Sequence, residues 1–130
     1  MDFTSLDYVI LITEDLDHAV KFYRDVLGLP LRHSSGAYAQ FATGATRFGL
    51  YTRKAMAEIL GMPLAKPPGE APGFEIGFKV PDVDRAFSEL TALGASPAAP
   101  PTTRAWGQRT AYVRDPDGHL IELAQDLRSS

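Results

Sequence analysis

The chain contains no cysteine. Disulfide scaffolds, cysteine-ligated zinc and thiol catalysis are therefore excluded. An excess of positive charge is also missing: 13 Lys and Arg stand against 16 Asp and Glu, for a formal net charge of −3. No basic run is long enough to neutralise several phosphates, which argues against a nucleic-acid partner. No apolar run approaches the ~20 residues that span a bilayer. Met1-Asp2-Phe3-Thr4 opens without a basic region, so neither a targeting segment nor a membrane partner is expected and the cytoplasm is the default location. What remains is a globular composition, 45% hydrophobic and 22% charged over 130 residues. That suits one domain, or two small modules sharing a core, large enough to fold without a staple.

The chain repeats itself. Asp7 to Ala19 aligns with Phe74 to Ala86 at a constant offset of 67 (82 − 15). Each copy has an apolar run of strand length, then Asp-apolar-Asp, then a helical pattern closed by Leu-Gly (Leu27-Gly28 and Leu93-Gly94). Asp15 and Asp82 are N-cap signals, because a carboxylate there accepts from the free amides of the first turn. Gly28 and Gly94 are signals for the position just past the helix end. After the first helix, Leu31–Ser34, Tyr38–Ala42 and Thr46–Tyr51 read as strands, followed by a short helix over Arg53–Leu60. After the second come a weak Pro/Ala-rich stretch, Arg109–Arg114, the turn Asp115-Pro116-Asp117-Gly118, and Leu120–Gln125. The organisation expected is a β-α-β-β-β module over 1–61, a proline-rich linker over 62–73 and a second module over 74–130, the two forming one structural domain. The third strand of the second module is the poorly signalled element.

These residues resemble the vicinal oxygen chelate superfamily, which includes glyoxalase I, extradiol dioxygenases, fosfomycin-modifying enzymes and bleomycin-binding resistance proteins. The resemblance is carried by Asp15-Leu16-Asp17, Phe22-Tyr23 and Leu27-Gly28-Leu29, then by Asp82-Val83-Asp84, Trp106-Gly107-Gln108-Arg109 and Asp115-Pro116-Asp117-Gly118-His119-Leu120-Ile121-Glu122-Leu123. It implies an α+β fold in which two βαβββ modules form curved mixed sheets around a cleft. It also implies a homodimer and, in catalytic members, one divalent metal ion held by His, Gln and Glu from four strand positions.

Carried over position by position, that ligand set is incomplete. Tyr8 stands at the first-strand position, Gly49 at the fourth-strand position, Glu75 at the first strand of the second module and Glu122 on the last strand. Two carboxylates alone would hold a hydrated magnesium or calcium ion at best, and a catalytic centre normally takes about three protein ligands. His18, His33 and His119 fall out of phase with those positions and read as surface residues.

Alternation along the strands sends Val9, Leu11, Ile76, Phe78, Ile121 and Leu123 toward the helices. Tyr8, Ile10, Ile12, Gly49, Tyr51, Glu75, Gly77, Lys79, Leu120, Glu122 and Ala124 then face the cleft. Tyr38 and Tyr112 join them, with Trp106 at the mouth. Rigid aromatics of this kind stack on flat ligands or hold cations, and the buried-leaning carboxylates favour an amine-bearing ligand. Glu122 has possible partners in Arg114 and Arg47. The reading reached is a metal-free module that sequesters an aromatic or cationic antibiotic or natural product. Its ligand-binding residues are Tyr8, Tyr38, Gly49, Tyr51, Glu75, Trp106, Tyr112 and Glu122. The alternative is a metal-dependent lyase like glyoxalase I, or an extradiol dioxygenase, using Glu75 and Glu122 on one divalent ion.

Overall fold

The computed structural model describes residue 1, residues 4–65 and residues 73–127. Most of the linker expected over 62–73 lies outside the described residues. The chain divides into two compact units, Met1–Lys66 and Pro67–Ser130, and each holds one four-stranded mixed sheet.

In the first unit, β1 (Tyr8–Thr13) leads to helix α1 (Leu16–Lys21), which widens into a π turn over Phe22–Val26. β2 (Leu31–Ser35), β3 (Tyr38–Phe41), β4 (Arg47–Thr52) and helix α2 (Arg53–Leu60) follow. The sheet order is β1-β4-β3-β2, with β1 parallel to β4 and the other pairs antiparallel. Asp15 caps α1 by accepting from the His18 amide at 3.1 Å. A period of 3.6 does not signal the π turn: the Leu27 amide reaches back to the Phe22 carbonyl at 3.0 Å, and the wider turn brings two consecutive rings to the core side. Phe22 and Tyr23 are both buried. Tyr23 packs against Phe48 and Phe41 with ring centroids 4.8 and 6.0 Å apart, and Leu11, Ala39 and Leu50 complete the core. Burying side chains of this size contributes roughly 1.5–3 kcal/mol each.

In the second unit, β5 (Glu75–Lys79) leads to α3 (Val83–Ala92), β6 (Ser96–Thr103), β7 (Gln108–Arg114) and β8 (Leu120–Asp126). The order β5-β8-β7-β6 repeats that of the first unit, with β5 parallel to β8. Asp82 caps α3 as Asp15 caps α1, here through the Arg85 amide at 3.1 Å. Gly94 ends this helix at φ +109°, a conformation that suits glycine. Val83, Leu90, Ala111, Val113, Ile121 and Leu123 form the core.

The weak Pro/Ala-rich stretch is a full strand. Its prolines are tolerated because β6 is the sheet edge, where a missing amide donor breaks no ladder. Its pairing with β7 shifts register between Pro97 and Ala99 and again between Ala99 and Thr102. Among the described residues no helix is long and apolar enough to cross a membrane.

Candidate functional site

Phe41 and Phe48 point toward α1, so alternation turns Tyr8, Ile10, Arg47, Gly49, Tyr51, Tyr38 and Gln40 to the opposite face of the first sheet. Register places Tyr8 opposite Arg47, Ile10 opposite Gly49 and Ile12 opposite Tyr51. Gly49 in turn lies beside Gln40, and Tyr51 beside Tyr38. The Arg47 guanidinium donates to the Tyr8 hydroxyl at 2.9 Å, and its central carbon stands 5.4 Å from that ring's centroid. Gln40 Nε2 donates to the Tyr38 hydroxyl at 2.9 Å, and Tyr38 meets Tyr51 edge-on at 6.1 Å. The Tyr38 ring therefore lies over Gly49. A Cβ at Gly49 would fall 2.8 Å from Tyr38 Oη, 2.9 Å from Tyr38 Cε1 and 3.1 Å from the Ala39 carbonyl oxygen.

The second sheet carries the acids. On the face away from α3, Gly77 sits opposite Glu122, which sits opposite Tyr112. The Tyr112 hydroxyl donates to Glu122 Oε2 at 2.8 Å. A Cβ on Gly77 would lie 3.2 Å from Glu122 Oε1, so the glycine leaves that carboxylate its room. Burial, together with the hydrogen bond to Glu122 and the nearby carboxylate charges, pushes the Tyr112 hydroxyl up to about 12; Arg104 opposes the shift. Partial desolvation, then the charge of Glu122, raises the Glu75 carboxyl above the usual carboxylate range. Arg104 donates to the Thr110 hydroxyl at 2.9 Å. Farther along the face, Trp106 Nε1 donates to Gln108 Oε1, Gln108 Nε2 to Asp126 Oδ1, and Lys79 Nζ to both Asp126 oxygens, at 3.0, 3.0, 2.6 and 2.8 Å.

Several expectations need correcting. Glu75 is exposed rather than leaning to burial, because β5 is a sheet edge. Glu122 accepts from Tyr112, whereas Arg114 donates to the Gly118 carbonyl at 3.2 Å and Arg47, in the first unit, to the Tyr8 hydroxyl. Ala124, assigned away from the core, is buried at 4% exposure. His119 is not a plain surface residue. Its Nδ1 lies 2.7 Å from Oδ2 of Asp115, whose side chain has no exposure. The same carboxylate accepts from the Asp117 and His119 amides at 2.9 and 2.8 Å, so it is the internal brace of the Asp-Pro-Asp-Gly turn. Trp106 stands in the turn before β7, 67% exposed. Arg47 and Arg104 were missed as residues of these faces. The signal for Arg47 was available, two residues before Gly49 on the same strand face.

Residues 5–123 match the Glyoxalase/Bleomycin resistance protein/Dioxygenase superfamily. The chain belongs to it. The uncharacterized protein YraH of Bacillus subtilis is 39% identical over 121 residues, covering 90% of this chain and 94% of its own length. A Vibrio parahaemolyticus protein named "Probable lactoylglutathione lyase" is 29% identical over 132 residues, covering 95% of this chain and 91% of its own. A crystal structure of a protein of unknown function from Agrobacterium tumefaciens superposes with a TM-score of 0.80 at 30% identity, covering 98% of this chain and 97% of that one.

The superfamily's metal asks for donors that the first unit does not offer. By strand pairing, Tyr8 and Gly49 occupy the places that Glu75 and Glu122 occupy in the second unit. Gly49 has no donor and is covered by a phenol ring. Tyr8 offers only a phenol oxygen, and the guanidinium bonded to it repels any dication. None of these four positions carries a His. The residues at these four positions do not fit the family's transition metal. The superfamily match thus establishes the fold, and function has to be read from the two faces.

Proposed function

We propose that this chain is a small-molecule-binding member of its superfamily, of the kind that sequesters an aromatic, cationic antibiotic or natural product without a transition metal. The observation that carries the reading is the Tyr38 ring seated on Gly49, where the family would place a metal-binding carboxylate. On the second unit, Glu75 and Glu122 supply negative charge and Tyr112 holds Glu122 in place. A protonated amine meets there the charge-assisted hydrogen bonds it needs, and Trp106 offers a flat, exposed ring in the turn before β7 of the same sheet. Arg47 confines the cation reading to the second unit. We further propose that the chain works as a homodimer.

The Vibrio relative's name supports the alternative, a metal-dependent lyase, and metal analysis separates the two. Protein purified without chelator should carry far less than one equivalent of nickel, iron or zinc. Titration with the planar cation proflavine should quench Trp106 fluorescence, and Glu122→Gln should weaken that binding roughly ten-fold, as loss of one charge-assisted bond predicts. A stoichiometric transition metal, or silence toward planar cations, would sink this reading.

A further inference from the structure

The first unit has a charge character of its own. Among the arginines, Arg24, Arg53, Arg85 and Arg109 each form an ion pair. Arg47, like Arg32, Arg104 and Arg114, forms none among the described residues; its side-chain hydrogen bond, to Tyr8, uses one of a guanidinium's five N–H groups. Positions 8, 10 and 12 of β1, 47, 49 and 51 of β4, and 38 and 40 of β3 share its face, and none is Asp or Glu. Of the neighbouring carboxylates, Glu14 pairs with Arg53, while Asp7 accepts from the Ser5 hydroxyl and forms no ion pair with Arg47 among the described residues. His33, registered beside Gln40 on β2, adds no negative charge to this face. Beside the guanidinium lies apolar surface open to solvent, with Tyr8 50% and Ile10 38% exposed.

We propose that this face is an anion site that takes a planar aromatic carboxylate. The carboxylate seats on Arg47, whose fork of donors matches it in bidentate geometry. The ring covers Tyr8 and Ile10, which lie two residues apart along β1, a separation of roughly 6.6 Å that two fused rings span. Tyr8 does two jobs. Its hydroxyl holds the guanidinium in place, and its ring gives the ligand a surface to stack on. Tyr38, held over Gly49 by Gln40, closes the sheet on the inner side and restricts the site to flat ligands. This site goes beyond the cation reading of the second unit and does not depend on it.

The test is a series of amide-resolved NMR titrations with three probes of one shape: 2-naphthoate, neutral 2-naphthamide and 2-naphthylmethylammonium. The naphthoate should move resonances of β1, β3 and β4 and, as read from those resonances alone, bind that face at least ten-fold more tightly than the other two at low salt. Arg47→Gln should remove that ten-fold preference while changing naphthamide binding less than two-fold, and Arg47→Lys should restore part of it. In the unmodified protein, raising salt from 0.05 to 0.5 M should weaken the naphthoate several-fold and leave the amide unchanged, a readout that needs no variant. Equal binding of acid and amide overturns the proposal, as does a naphthoate footprint on the second unit. So does a stable dimer in solution in which Tyr8 and Ile10 are protected from the solvent, since the face would then be an interface between copies. Proflavine quenching of Trp106 reads the second unit separately, so either reading can fail alone.

Discussion

At the scale of single residues, Gly49 is the glycine with the least room in the first unit among the described residues. The phenol tip of Tyr38 could swing aside to admit a Cβ, but the Ala39 carbonyl at 3.1 Å belongs to the neighbouring strand and moves only with the sheet. Gly49→Ala should therefore cost roughly 1–3 kcal/mol in chemical denaturation, the usual range for overpacking. Adding Tyr38→Ala should recover only part of the loss. Full recovery would show that the backbone contact is harmless. Glu75 makes a different prediction. Its carboxyl titrates above the ordinary range in the folded state, so the folded chain binds that proton more tightly than the unfolded chain does. The stability it contributes is present below the unfolded value and is lost as pH rises through the folded one. Glu75→Gln should accordingly stabilise the protein at pH 7, by less than about 1 kcal/mol for so exposed a group. The gain should vanish below about pH 4, near the unperturbed carboxylate value. Denaturation midpoints at pH 7 and pH 3.5 measure it, and a variant less stable than the parent at pH 7 would contradict the sign.

At the scale of elements, the helices and turns were legible because their chemistry is local. Asp15 and Asp82 cap the helices they precede, and α2 runs over the eight residues expected of it. The edge strand β6 was faint because β-propensity describes central strands, whereas an edge accepts Pro97, Pro100 and Pro101. The π turn escaped because periodicity tests one period at a time. Strand alternation correctly separated the faces, yet it did not give exposure: Glu75 is open and Ala124 is covered although both were assigned to the same side. The turn after β7 shows what a motif adds beyond propensity. Proline and glycine set its path, but Asp115 secures it from inside by accepting two amides and the His119 ring nitrogen. Removing a buried carboxylate leaves those donors without partners, so Asp115→Ala should cost roughly 2–3 kcal/mol. Hydrogen exchange should place the new mobility in residues 115–120. A cost below 0.5 kcal/mol, a bound set by surface substitutions, would mean that proline and glycine hold the turn unaided.

At the scale of the whole molecule, the repeat explains both the fold and the different side chains that its two copies carry at matching positions. Two copies of one topology, β1-β4-β3-β2 and β5-β8-β7-β6, put matching positions on matching strands. At those positions one copy bears Tyr8, Arg47 and Gly49 and the other Glu75, Leu120 and Glu122. The fold survives because core residues such as Leu11, Phe48, Ile121 and Leu123 alternate with these positions and do not depend on what they carry. That independence gives a decisive measurement. A metal ion bound only by the folded state at a hundred times its dissociation constant adds about 2.7 kcal/mol of stability. For a chain of this length that is roughly 10 °C of melting temperature, at about 3–5 °C per kcal/mol. Dialysis against EDTA should instead leave the melting temperature within about 2 °C of its starting value by the same conversion. Proflavine affinity should be unchanged by the same treatment. A drop near 10 °C, restored by zinc or nickel, would mean that ligands outside the Tyr8, Gly49, Glu75 and Glu122 set build a metal centre in this chain, and the binding-protein reading would give way to a metalloenzyme.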